Sequence, residues 1–571
     1  MRTHTAPFTR PDSCRVRRLG TQYRQLLAPP GVESVIQVWY YCIGYRGSVR
    51  KSCLSVAFLL VSSCLAASAP SAAEAVVPFE VPGTLVAGNR IDELVFARWK
   101  ELGIQPANLC SDAVFLRRVF IDVTGTLPTA GEAVEFLNSK EPDKRARLID
   151  RLLEREEFAD YWTMKWSDLL RVKAEFPINL WPNAAQAYYH WIRTALSANQ
   201  PYDRFVREIL TESGSNFRVP PVNFYRAMQN REPQAIAQTV ALTFMGVRAE
   251  KWPADRLAGM AAFFSEIDYK HTGEWKEEIV IFDAHKPLAG RPVFPDGTAA
   301  RIEPGQDPRE VFADWLIAPK NPWFARGIAN RAWYWLLGRG IVQEPDDIRP
   351  DNPPENPELL AWLEREMVDS NYDLKHIFRL ILNSSTYRLS SIPRAEPAAA
   401  AAHFAAYPLR RLDAEVLMDA LCQITGTSET YTSAIPEPYT FMPDFQRAVS
   451  LPDGSISSSF LELFGRPPRD TGLESERNNR ISDAQRLNLL NSSQVQRKIQ
   501  QGPKILAMMR DTKNPRDLVS QVYLTILSRY PTDDEWKVVG AHSQSGSARG
   551  QAAVVDLIWA LVNSPEFLYR H

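Results

Sequence analysis

Cysteine and histidine are scarce in this chain of 571 residues, six of the first and eight of the second. Cys14, Cys42, Cys53 and Cys64 fall before or inside an apolar stretch near the start, which leaves Cys110 and Cys422 for the body. Two cysteines cannot build a four-thiolate zinc site or a disulfide scaffold; they leave one disulfide or two buried thiols. The histidines are His4, His190, His271, His285, His376, His403, His542 and His571. No two lie three or four residues apart, so a helix-borne metal pair is excluded and no metal or other cofactor is expected. An excess of one charge is also missing: 66 basic residues face 67 acidic ones. Nucleic acid is therefore not an expected partner, because phosphate neutralisation would need a basic block. The chain has no glycine-rich phosphate loop and no serine in a nucleophile elbow.

What is present is ample core material, with 45% hydrophobic residues, 11% aromatics and 15 Trp. A chain of this length should divide into two or three packed units. Near the start, Arg46, Arg50 and Lys51 precede an apolar run from Cys53 to Ala67, and small residues follow through Ala75. A positive flank, a short apolar core and a small-residue exit make a secretory signal, too short to span a bilayer. The mature protein is expected to be periplasmic or secreted. Residues 1–75 read as the export signal region with a mis-called start; Val49, read from an alternative start codon, would put Arg50 and Lys51 at the amino terminus. Val61-Ser62-Ser63-Cys64 resembles a lipobox, so lipidation of Cys64 and ordinary cleavage near Ala69 or Ala75 both stand open. A lipid there would be the only membrane attachment expected.

From Ile91 onward, apolar residues recur at helical spacing through most of the chain. The fold expected is mainly α: a multi-helical, two-module protein with a small β element between the modules. Residues 88–285 form the first helical domain, 286–306 a linker with short strands, and 307–571 the second helical domain, with an Ala-rich linker near 395–406. The β element is expected at 279–282 and 291–302, where Ile279–Phe282 is followed by a run punctuated by Pro and Gly. An internal similarity links Val119-Phe120-Ile121 and Leu127-Pro128-Thr129 to Val522-Tyr523-Leu524 and Tyr530-Pro531-Thr532 at the same spacing. Thr129 with Glu132, and Thr532 with Glu535, should each close a capping box at a helix start. Helix ends near Phe158, Phe567 and Tyr387 look related.

The densest polar constellation comprises Arg326, Asn330, Arg331, Trp333, Asp346, Asp347, Arg349 and Asn352. Such a set could grip a sugar or an anionic group. The weightier expectation is that Asp346 and Asp347 pair with Arg326, Arg331 or Arg339 and lock a loop onto a helix. Adjacent carboxylates in one loop rarely stand at the separation glycoside cleavage needs, so no catalytic residue is assigned. A second polar run, Arg469 to Arg480, reads as a solvated charged segment before a helix.

These same segments resemble the paired planctomycete cytochrome-c-associated domains of unknown function. The first domain's pattern appears in Arg117–Thr129, Tyr161-Trp162, Phe244–Arg248 and Ala261–Phe264. The second's appears in Asn321-Pro322 to Arg331, Asp346-Asp347, Asn352-Pro353-Pro354, Arg411–Glu415 and Gln485–Asn491. Many relatives follow Gly-Val-Arg with Cys-x-x-Cys-His, like a haem or metal attachment point; here Val247–Asp255 carries neither Cys nor His. A large, well-patterned helical body with no recognisable catalytic constellation points to a helical binding or scaffold component of the cell envelope. An exported sulfatase-like protein and polysaccharide are the partners the resemblance implies. A glycan-acting hydrolase using Asp346, Asp347, Arg326 and Asn330 is the alternative, and a degenerate redox-associated protein a third.

Overall fold

Thr129 and Thr532 begin helices by the same device. Thr129 caps the helix Ala130–Asn138: its hydroxyl accepts from Glu132 N–H at 3.2 Å, and Glu132 reaches back to Thr129 N–H at 2.8 Å. Thr532 and Glu535 do the same ahead of Asp533–Ser545, at 3.3 and 2.7 Å. The preceding helices, Asp112–Thr124 and Pro515–Leu527, both end on a residue of positive φ, Gly125 (61°) and Ser528 (61°). The likeness extends to two helix ends: Ser384 and Ser564 each accept from an N–H three residues on, Tyr387 at 3.1 Å and Phe567 at 3.2 Å. Repeated local sequence thus writes repeated local geometry.

The computed structural model describes residues 75–545 and 549–571. The export signal, the proposed start at Val49 and the lipobox Cys64 lie outside the described residues. Within them the fold is mainly α, as expected. Of three small sheets among the described residues the largest has three strands: Glu278–Phe282 lies between Gly214–Ser215 and Ile267–His271, antiparallel to both, with Ile267 opposite Phe282. The strand at 279–282 therefore exists, and its main partner is Ile267–His271, a strand that follows the helix Ala254–Ala261. That helix stops at Ala261, and the chain turns through Ala262–Phe264 before the strand. The other expected β stretch, 291–302, holds only the Val293–Ala299 bridge around a turn in which Asp296 accepts from Thr298 N–H at 2.8 Å. The Ala-rich segment folds into the short helix Pro397–Ala402, and Ala405 behind it is fully buried.

One continuous hydrophobic core runs through both halves of the chain. Trp162 and Trp166, on the helix Glu156–Leu169, pack against Trp335 at ring separations of 5.2 and 5.8 Å, and Trp162 stacks on Phe378 at 4.4 Å. Each such ring contributes about 1.5–3 kcal/mol by leaving water. Polar bonds follow the same route across the halves. Asp92 accepts from Ser385 N–H (2.8 Å), Thr386 N–H (2.9 Å) and the Thr386 hydroxyl (2.7 Å). Arg118 donates to the Tyr387 and His571 carbonyls, and Arg117 to those of Ile526 and Phe567. The helix Pro233–Val240 loosens into a π turn, Ala241–Met245, and ends at Gly246 with φ 66°. A side chain at Gly246 would stand 2.8 Å from the Pro345 carbonyl, so glycine is needed there on two counts.

Candidate functional site: a buried charge network

Arg331 sits on the helix Phe324–Leu337, started by Asn321, whose side chain accepts from Trp323 N–H (3.0 Å) and Phe324 N–H (3.1 Å). Its guanidinium donates to Asp346 at 2.7 Å and to the Thr243 carbonyl of the π turn at 2.7 Å. The second Asp346 oxygen accepts from Glu474 N–H at 2.7 Å. Glu474 in turn accepts from the Trp335 indole at 2.6 Å and lies 3.6 Å from Arg331. Both Arg331 and Asp346 side chains are only 2% exposed. Burial opposes the Arg331 charge, yet Asp346 and Glu474 hold its pKa above the usual arginine range. Burial, opposed by Arg331 and helped by Asp346, pushes the Glu474 carboxyl up to about 7.

The other expected site residues divide. Asn330 clasps Val342, donating to its carbonyl at 3.0 Å and accepting from its N–H at 2.9 Å. Asn352 donates to the carbonyls of Gln343 and Asp347, both at 2.9 Å. Trp333 is fully buried, edge-on to Phe404 at 5.1 Å. Asp347 is half-buried and meets Arg349 at 3.1 Å, with Lys251 at 3.9 Å, and Arg349 also reaches Asp351 at 3.0 Å. Arg326 pairs with Glu364 and Arg339 with Glu355 rather than with either aspartate. Of the expected ion pairs it is Arg331 with Asp346 that locks the loop onto the helix, and the Asn330 clasp on Val342 adds to it.

A larger cluster adjoins it. Asp413 accepts from Arg570 (2.7 Å), Asn479 (2.7 Å), Lys165 (3.0 Å) and the Tyr161 hydroxyl (3.1 Å). Arg570 also donates to Asp122 at 2.9 Å, which accepts from the Tyr387 and Tyr407 hydroxyls at 2.9 and 2.8 Å. Arg477 bridges Asp168 (2.6 Å) and Glu415 (2.7 Å), and Arg469 meets Asp168 at 3.0 Å. Burial works to raise the Asp413 pKa, but Lys165, Arg570 and Arg477 hold it well below the carboxylate range. The 469–480 segment is therefore not a solvated charged run: Arg469 is 1% exposed, and Arg477 lies deep in the cluster. Its charges face carboxylates from distant parts of the chain, Asp168 above all, a pairing invisible in local sequence. Lys165, Asp168 and Arg570 were missed for that reason; Asp122, Asp413 and Glu415 stood only in a family motif.

Cys110 and Cys422 are both free thiols, so the single disulfide left open by the sequence does not form. Burial pushes the Cys422 thiol up, with Lys498 opposing it from 3.5 Å. Among the described residues no group of three or more His, Cys, Asp or Glu has the geometry to hold a metal ion, and no helix is long and apolar enough to cross a membrane.

A mainly α body whose two halves are riveted by buried ion pairs is the class the structure defines. Residues 90–264 match PSCyt2, a protein family of unknown function (DUF1549), and residues 308–542 match PSD1, likewise of unknown function (DUF1553). The chain belongs to the proteins that carry these two domains together. No curated protein and no solved structure matches it. The residues do not fit a haem at Val247–Asp255, the stretch that the resemblance would equate with a haem attachment point. There Ala249–Lys251 forms a 3₁₀ turn without thiolate or imidazole, and Arg248 pairs with Glu344 at 2.9 Å.

Proposed function

We propose that the protein is an exported, non-catalytic binding or scaffold component of the cell envelope, working with an exported partner in polysaccharide processing. The observation that carries this reading is the fate of Asp346: both its oxygens are consumed, one by Arg331 and one by Glu474 N–H. A carboxylate so engaged, with its side chain only 2% exposed, holds a loop in place. Export rests on the signal pattern from Arg46 to Ala75, and tethering on Cys64. The partner reading is tested by purification from envelope extract under mild detergent. A stoichiometric exported protein, sulfatase-like in sequence, should co-elute; a solitary monomer in every extract contradicts the reading. A diacylglycerol-modified peptide beginning at Cys64 would establish the anchor, and a mature terminus near Ala69 or Ala75 would remove it.

One observation favours the second reading, a glycan-acting hydrolase. Glu474, its pKa pushed up to about 7, stands beside Asp346, and a protonated acid next to a second carboxylate is a hydrolase pattern. Under the scaffold reading the purified protein shows no glycan turnover, with or without Glu474→Gln. A large loss of a measurable turnover would install the enzyme reading instead.

A further inference from the structure

Three loops from distant parts of the sequence bring aromatic rings together on the surface. Trp181 precedes the helix Pro182–Ser197, Trp275 lies at the tip of the hairpin between Ile267–His271 and Glu278–Phe282, and Tyr439 belongs to the loop after the helix Ala414–Thr425. The Trp181 ring is 6.3 Å from Trp275 and 5.4 Å from Tyr439, edge to face in both cases. Trp275 is 68% exposed, and Phe176, Phe441 and Phe445 are exposed on the same loops. Large aromatic rings left in water at one place are the informative exception to apolar burial.

The second observation is the Lys276 ammonium, 5.1 Å from the Trp181 ring and 5.3 Å from the Trp275 ring. Lys276 makes no ion pair among the described residues, although acidic side chains are close in sequence. Those are engaged elsewhere: Glu274 with Arg218, Glu277 with the Ser215 and Thr272 hydroxyls, and Glu278 with Arg226. The loop conformations are also held against preference, since Asn179, Trp181 and Lys276 all have positive φ (61°, 73° and 62°). The 174–181 loop is tied down by Ala174 N–H to Asp453 at 2.8 Å and Glu175 N–H to Ser455 at 3.0 Å. The platform is thus preorganised and carries one cation without a counter-ion.

We infer that Trp181, Trp275, Tyr439 and Lys276 form a binding platform for an acidic polysaccharide. The C–H faces of a pyranose ring suit the exposed indole and phenol surfaces, while a sulfate or carboxylate on the sugar supplies the missing partner of Lys276. A neutral glycan would use the rings and leave the ammonium unmatched; a nonpolar protein segment would leave it buried and unpaired. The inference deepens the polysaccharide half of the proposed function and rests on it for the source of the ligand.

The test is calorimetric titration of the full-length protein with sulfated galactan oligosaccharides, uronate oligosaccharides and their uncharged counterparts. Binding of an acidic series should exceed that of its neutral counterpart and weaken as salt is raised. Trp275→Ala should lose at least tenfold in affinity, and Lys276→Met should lose the preference for the acidic series, both at unchanged melting temperature. Absence of binding to every acidic series at millimolar concentration overturns the inference, as does binding indifferent to Trp275→Ala. Co-purification of the partner by Trp275→Ala is the independent readout. If glycan binding is absent while the partner is retained, the platform fails and the scaffold stands. If the partner is lost with Trp275→Ala and no glycan binds, the rings form a protein interface and the polysaccharide assignment is wrong.

Discussion

Replacing Asp413 by Asn should be among the most damaging single changes in the chain. The carboxylate is 1% exposed and faces Arg570 at 2.7 Å and Lys165 at 3.0 Å, with Arg477 at 3.8 Å. An amide of the same shape keeps some hydrogen bonds but leaves those cations without their counter-charge. Removing one partner from a buried pair costs about 3–5 kcal/mol, most of it from the charge left behind. The pH dependence has a definite sign. The folded Asp413 pKa is depressed, so its contribution is complete above the unfolded carboxylate range and is lost as pH falls through the folded value. Urea unfolding at pH 7, followed by far-UV circular dichroism and tryptophan fluorescence together, gives the free-energy difference. The gap between wild type and Asp413→Asn should narrow in acid. A difference under about 0.5 kcal/mol at pH 7, the range of ordinary surface changes, would refute the role given to this network.

Asp346→Asn should destabilise by about 3 kcal/mol for the same reason, while Asp347→Asn, whose partners Arg349 and Lys251 are solvent-exposed, should cost about 1 kcal/mol or less in the same unfolding assay. Glu474 has the opposite pH sign. Its folded pKa is raised to about 7, so the protein loses stability as pH rises from the unfolded carboxylate value through that point. Glu474→Gln should flatten that slope and gain about 2–3 kcal/mol at pH 8 relative to wild type; melting temperatures at pH 5 and pH 8 decide it. Thr129→Ala and Thr532→Ala should each cost about 1 kcal/mol, and nearly the same amount, because both close the same capping box.

Local devices were legible in the sequence and distant pairings were not. The capping boxes at Thr129 and Thr532 and the predominance of helix follow from short-range hydrogen bonding and periodicity. The Arg331–Asp346 lock was foreseen in kind, since both residues lie within one helix and its following loop. The strand Ile267–His271 was hidden because its partner, Glu278–Phe282, defines it more than its own residues do. Asp168 with Arg469 and Arg477, and Asp122 with Arg570, were beyond reach for the same reason at larger scale. The surface meeting of Trp181, Trp275 and Tyr439 likewise exists only once three loops are folded together.

The central claim is that the two family segments make one body, riveted by charges that have structural employment. Differential scanning calorimetry of the full-length protein at neutral pH tests it most directly. A single transition whose calorimetric enthalpy equals its van't Hoff enthalpy is the expected result, with Asp413→Asn shifting that one transition downward as a whole. Two resolved transitions, only one of them moved by Asp413→Asn, would contradict the account.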